Sequence, residues 1–114
     1  MGEIEKYATI AIVAIAAIHL LAAVALATRF MPKLFVNPRV PLSLEVCFCT
    51  AVGIGLLLAL KYRMAAYVMF AKHSAFAFLA LGPVVYYPGD VPTQVAIAAM
   101  DLVAAAALYT LATK

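Results

Sequence analysis

The sequence predicts an all-α fold, an integral membrane bundle of four transmembrane helices. Hydrophobic residues make up 68% of the 114 residues and charged residues only 11%, and the mean hydropathy is +1.11. A water-soluble chain of this length could not bury so much apolar surface. The apolar residues also form long runs instead of amphipathic stripes, as bilayer-spanning helices do. We therefore expect residues 1–114 to form one multi-pass domain in the cell membrane.

Four apolar runs predict the helices, at about 7–29, 42–60, 64–85 and 93–113. Each run holds roughly 20 residues, enough to cross a hydrocarbon core about 30 Å thick. The first run ends where prolines and bases begin, at Pro32 and Lys33, because these residues cannot continue a buried helix. A basic turn at residues 61–63 separates the second run from the third. Four spans place this turn and both termini on one side of the membrane.

The basic residues between the runs and the small residues within them indicate which partners the chain contacts. The net charge of +3 comes from eight Lys and Arg residues, several of which lie between the runs, where they suit lipid headgroups. Gly53, Gly55 and many alanines let helix backbones approach closely in lipid. We expect the lipid bilayer, other membrane subunits or a second copy of the chain as partners, and no nucleic acid.

Four polar side chains inside the apolar runs are the candidate site. An ionisable group at the bilayer centre costs about 2.5 to 3.5 kcal/mol on insertion scales, so such residues need a reason to be there. With a helical rise of about 1.5 Å per residue, they lie roughly 12 to 18 Å from the side that holds the termini. The sequence therefore predicts an intramembrane polar cluster of His19, Lys72, His73 and Asp101.

Lys72 and Asp101 form the natural pair of this cluster, because opposite charges reduce the cost of burying each other. Two interpretations are open. The pair is either a buried salt bridge that fixes the order of the helices, or a relay in which Asp101 exchanges a proton and Lys72 tunes its affinity.

His19 and His73 support a further hypothesis. Two neutral imidazoles on different helices at similar depth are candidate axial ligands for a b-type haem. Copper or zinc bound by His19, His73 and a cysteine is an alternative, although the cationic Lys72 would repel the metal. Cys47 and Cys49 lie two positions apart on a helix and face nearly opposite directions, so we expect free thiols there.

The stretch from Glu45 to Tyr67 combines an early glutamate, Gly53, Gly55, a leucine run and then Tyr62-Arg63-Met64-Ala65-Ala66. It resembles the second and third helices of DoxX-like membrane proteins. That family has four helices and is linked to quinone-dependent redox complexes, so the resemblance implies a redox setting. It carries no residue roles to this chain.

A second resemblance covers the first and third helices. The stretch Ile18-His19-Leu20-Leu21-Ala22-Ala23, followed by Pro32, with His73 in the third helix, is similar to CopD-like proteins. The helices of that family carry histidines for copper or haem. The resemblance implies that His19 and His73 are ligands.

These observations predict a subunit of a larger assembly. The loops contain no nucleophile, phosphate loop or carboxylate pair, so we do not expect an enzyme by itself. We expect a small, non-catalytic subunit of a larger membrane complex, redox or respiratory, that supports electron transport. The alternative is a homo-oligomeric transporter or channel, since four short helices alone enclose little space.

Overall fold

The structure, a computed structural model, describes residues 2–33, 39–80 and 91–114. These residues form four helices: α1 (Glu3–Ala27), α2 (Leu42–Ala59), α3 (Arg63–Ala80) and α4 (Val91–Thr113). The predicted all-α fold is confirmed. Residues 81–85 of the predicted third helix lie outside the described residues.

Helix α1 begins one turn earlier than predicted. The backbone N–H of Lys6 donates to the carbonyl of Gly2 at 3.0 Å, and Glu3 and Glu5 lie in the first turn. Carboxylates stabilise a helix N-terminus through its partial positive charge, so the acidic residues before Tyr7 extend the helix.

Helix α1 also ends earlier than predicted, at Ala27 and not at residue 29. Arg29 has a φ of 58°, in the left-handed region. The N–H groups of Phe30 and Arg29 donate to the carbonyls of Ala25 and Leu26, at 2.8 Å and 3.1 Å. These two bonds form a Schellman motif, which satisfies the last carbonyls of the helix and turns the chain.

Helix α4 begins at Val91, two residues before the predicted start. The prediction assigned Pro92 to the loop. Proline is tolerated in the first turn of a helix, because the N–H that it lacks would have no intrahelical acceptor there.

The helices form a closed bundle. Each packs against its neighbours in the chain, and α1 packs against α4. The bundle is 43 Å long, close to the roughly 40 to 45 Å of a bilayer with its headgroups.

At one end of the bundle the Arg63 guanidinium donates to the Lys114 carbonyl at 3.0 Å, and the Lys114 ammonium lies 4.0 Å from the Glu5 carboxylate. That end therefore holds both termini and the turn between α2 and α3.

Two apolar cores fill the bundle. The larger, the terminal-side core, includes Ile12 and Ile15 of α1, Leu56 of α2, and Leu108 and Leu111 of α4. The smaller lies toward the opposite end and joins Ala23, Leu26 and Cys49 of α1 and α2. The polar residues of the candidate site occupy the level between them.

Three of the four helices are long and apolar enough to cross a membrane: α1, α2 and residues Pro92–Thr113 of α4. Helix α3 is not apolar enough over its described residues to count as a candidate span, because Arg63, Lys72 and His73 lower its hydropathy. The prediction of four helices is confirmed, and three of them are candidate membrane spans by length and composition.

Candidate functional site

The structure brings the four predicted polar residues together inside the bundle. His19 comes from α1, Lys72 and His73 from α3, and Asp101 from α4. Three of them are buried, with exposed fractions of 8% for His19, 0% for His73 and 2% for Asp101. They form two pairs, and Lys72 and His73 join the pairs as neighbours in the chain.

The first pair is ionic. The Lys72 Nζ lies 4.0 Å from the Asp101 Oδ1, and the Asp101 side chain is 3% exposed. At this separation in a low-dielectric interior the attraction offsets part of the cost of burying each charge. The pair ties α3 to α4 in the middle of the bundle.

Two aromatic rings hold the Lys72 ammonium from other directions. Its Nζ lies 4.6 Å from the centre of the Phe76 ring and 5.1 Å from that of Phe48. The two rings stack on each other, with centres 5.4 Å apart and planes 22° apart. Aromatic faces attract cations, so the rings stabilise the ammonium.

Sequence reasoning missed both rings. The four-residue spacing of Lys72 and Phe76 places them on one face of α3 and was a usable signal. No pattern in the sequence indicates that Phe48 of α2 reaches the same ammonium, because that contact depends on how α2 packs against α3.

The second pair is the two histidines. The ring centres of His19 and His73 are 6.1 Å apart and their planes lie at 82°. Each Nδ1 bonds to the backbone carbonyl four residues earlier, Ile15 at 2.9 Å and Met69 at 2.8 Å. A carbonyl only accepts, so Nδ1 carries the proton and Nε2 carries the lone pair.

The Nε2 of His73 is buried and has no hydrogen-bond partner within the described residues. A metal-binding histidine commonly donates its second N–H to a backbone carbonyl, as both rings do. The ring spacing and angle are those of an edge-to-face contact between the two imidazoles. The donor set alone, two imidazoles with oriented rings, is what a two-coordinate ion would use.

A haem fits these residues less well. A macrocycle bound from both faces must lie between the two imidazoles and contact both. His19 borders the open space beside the site, whereas His73 is fully buried and is not among the residues described around that space.

Among the described residues, no group of three or more His, Cys, Asp or Glu side chains could hold a metal, so a cysteine does not complete the histidine pair.

The cysteines lie as expected. Cys47 is exposed and Cys49 is buried, and both thiols are free. Their opposite orientations follow from a spacing of two residues on a helix. Glu45, one turn before Cys49, is 1% exposed; this buried carboxylate of α2 is not part of the predicted cluster.

An apolar cleft of about 640 Å³ lies between α1, α2 and α4, and three members of the cluster border it, as do Thr93 and Cys49. We call it the α1/α4 cleft. His19, Lys72 and Asp101 border it, together with apolar side chains such as Ile18, Phe48 and Ile97. The terminal-side core lies on the other side of the cluster. The described part of the cluster thus lies between an apolar cleft and an apolar core.

Comparisons with known proteins return no relative. No protein-family model matches the chain, and no curated protein and no solved structure is significantly similar to it. The DoxX-like and CopD-like resemblances therefore stay predictions, and function has to be argued from the site.

Proposed function

We propose that the protein crosses the cell membrane four times, with α3 as the fourth span. Of the three polar residues that lower the hydropathy of α3, Arg63 lies at the end of the bundle, whereas Lys72 contacts Asp101 and His73 contacts His19 inside it. Its outer surface is apolar: Met64 is 73% exposed and Phe78 is 80% exposed. A helix with this distribution suits lipid on the outside and partner helices on the inside.

Within that membrane we propose a small subunit of a larger complex, redox or respiratory, in which the polar cluster exchanges protons locally. The observation that carries this proposal is the position of the Lys72–Asp101 pair. The pair borders the α1/α4 cleft on one side, and the terminal-side core lies on the other. A carboxylate with one cationic partner and access from one side can bind and release a proton. The redox setting rests on the histidine pair and on the DoxX-like resemblance.

The subunit proposal is tested by purification from native membranes in mild detergent. We expect partner polypeptides in constant proportion to this chain. A lone homo-oligomer would contradict the proposal and support the transporter or channel instead.

Proton exchange is tested by Asp101→Asn, which keeps the shape of the side chain and removes its charge. We expect the activity of the host complex to fall by about 10² to 10⁴-fold, the usual contribution of a positioned proton-transfer group. Thr110→Val is the control, since this α4 hydroxyl donates to the Ala106 carbonyl of its own helix. Unchanged activity in Asp101→Asn would contradict proton exchange and would show that the Lys72–Asp101 pair is a structural salt bridge.

The histidine pair supports a second candidate function, the binding of one metal ion by His19 and His73. The supporting observation is the buried Nε2 of His73, oriented by the bond from Nδ1 to Met69. We expect the protein to bind about one equivalent of Cu(I) under anaerobic conditions, and His19→Ala and His73→Ala each to abolish binding. Cys49→Ser is the control and should retain the ion. A Soret band lost in both histidine variants would indicate haem instead, and a protein that binds neither would contradict this function.

A further inference from the structure

We propose that the α1/α4 cleft binds a neutral lipid alcohol, with its apolar chain in the cleft and its hydroxyl between Lys72, Asp101 and His19. The site requires only this chain and a bilayer. It therefore goes beyond the proposed function and does not depend on a partner complex.

The size and the walls of the cleft suit such a molecule. Its volume is about 640 Å³, within the roughly 300 to 1,000 Å³ that small-molecule sites occupy. Its apolar wall residues include Ile18 and Leu21 of α1, Phe48 of α2, and Ile97 and Met100 of α4. A largely apolar wall with a few converging polar groups is the usual form of a ligand site.

The polar groups in the cleft favour a hydroxyl head. The Lys72 ammonium has three N–H donors, and the two rings packed on it offer faces and no acceptor atoms. Asp101 supplies carboxylate acceptors, and His19 presents an imidazole whose Nδ1 is already committed to Ile15. A hydroxyl both donates and accepts, so it can bond to the ammonium and to an acceptor at the same time.

The charge balance favours a neutral head over an anionic one. Lys72 and Asp101 lie 4.0 Å apart and compensate each other. A carboxylate or phosphate head would bring a second negative charge into an apolar space that holds one cation, and an uncompensated charge there is costly. A pure hydrocarbon would instead leave the donors and acceptors of the cleft without a ligand partner.

The test uses three photoreactive probes with the same 16-carbon chain and the same diazirine position: an alcohol, a carboxylic acid and an alkane. The purified chain is reconstituted in phosphatidylcholine nanodiscs, labelled with each probe and mapped by mass spectrometry. We expect the alcohol to label cleft residues about fivefold more than the acid or the alkane, as one or two hydrogen bonds would produce. Lipid-facing residues should be labelled equally by all three probes.

Two variants locate the site. Ala96 and Ala99 are both exposed alanines of α4, but only Ala96 borders the cleft. We expect Ala96→Phe to remove the preference for the alcohol by filling the cleft, and Ala99→Phe to leave it unchanged. Lys72→Met should reduce the alcohol signal in the cleft to that of the alkane.

Each other outcome overturns the proposal. Equal labelling of the cleft by the alcohol and the alkane would identify an ordinary lipid-filled groove, and stronger labelling by the acid would identify an anion site. Absence of labelling in the cleft would show that no lipid-soluble molecule enters it. Because the experiment uses the isolated chain, loss of the partner complex would leave its result unchanged, so the two proposals fail separately.

Discussion

At the scale of single residues, the site depends on how α3 presents two consecutive polar side chains. Neighbours on a helix point about 100° apart, so Lys72 and His73 meet different partners. Lys72 reaches Asp101 and the rings of Phe48 and Phe76, while His73 meets His19. One turn of one helix thus joins α1, α2 and α4 through polar and aromatic contacts.

The ion pair should show strong coupling in a double-mutant cycle. Lys72→Met leaves the buried Asp101 without its cation, and removal of one partner of a buried pair costs about 3 to 5 kcal/mol. We expect Lys72→Met/Asp101→Asn to recover a large part of that loss, because neither charge then remains. The measurement is reversible unfolding in mixed micelles. Additive losses in the double variant would show that the pair makes no energetic contact.

Sequence reasoning identified the polar residues and paired Lys72 with Asp101, as the structure does, but it did not identify the aromatic partners of the ammonium. The composition of the runs made His19, Lys72, His73 and Asp101 conspicuous. The pairing of the two histidines, and the aromatic faces around the ammonium, depend on the rotation of each helix about its axis. Runs that are apolar all round leave that rotation undetermined.

At the scale of helices, close packing depends on the two glycines of α2. A Cβ added at Gly53 would lie 2.6 Å from the Leu20 Cγ and 3.3 Å from the Ala16 carbonyl oxygen. A Cβ added at Gly55 would meet the thioether of Met69, with its Sδ 2.8 Å away. The first contact involves a branch point and a backbone, and the second involves the end of a flexible chain.

These two contacts predict different losses of stability when each glycine is replaced by alanine. We expect Gly53→Ala to destabilise the bundle by about 1 to 3 kcal/mol, as overpacking does, because α1 and α2 must separate. Gly55→Ala serves as the matched comparison and should cost clearly less, since Met69 can change rotamer. Thermal unfolding of both variants in detergent tests this order, and a larger loss for Gly55→Ala would contradict the described packing.

The end of α1 gives an opposite prediction, a stabilising substitution. Arg29 holds a φ of 58°, a conformation that costs a side-chain-bearing residue about 1 kcal/mol or more relative to glycine. We expect Arg29→Gly to raise the unfolding temperature, and Thr28→Gly, at a φ of −87°, to lower it. A lower unfolding temperature for Arg29→Gly would show that the guanidinium makes a contact worth more than the backbone strain.

At the scale of the whole molecule, the two halves of the described bundle differ. The Arg63–Lys114 and Lys114–Glu5 contacts place both termini and the α2–α3 turn at one end. The terminal-side core fills the half of the bundle near that end. The opposite half carries the cleft between α1, α2 and α4.

This arrangement predicts the sidedness of the chain in a membrane. In a background with Cys47→Ser and Cys49→Ser, we expect cysteines introduced for Lys61 and for Lys114 to react from the same side with a membrane-impermeant maleimide. A cysteine introduced for Arg39 should react from the other side. Labelling of Lys61→Cys and Lys114→Cys from opposite sides would show that only one of α3 and α4 crosses the bilayer.

The sequence by itself determined the helical class, the number of helices and their approximate bounds, because long apolar runs and the prolines and bases between them act locally along the chain. It also marked the polar residues that the membrane makes costly. Only the tertiary structure decided the geometry of the two histidines, the contact of two aromatic rings with Lys72, and the position of a cleft beside the cluster. Those features arise from how four nearly uniform apolar cylinders rotate and pack against each other, and neighbouring positions in the sequence carry little information about that.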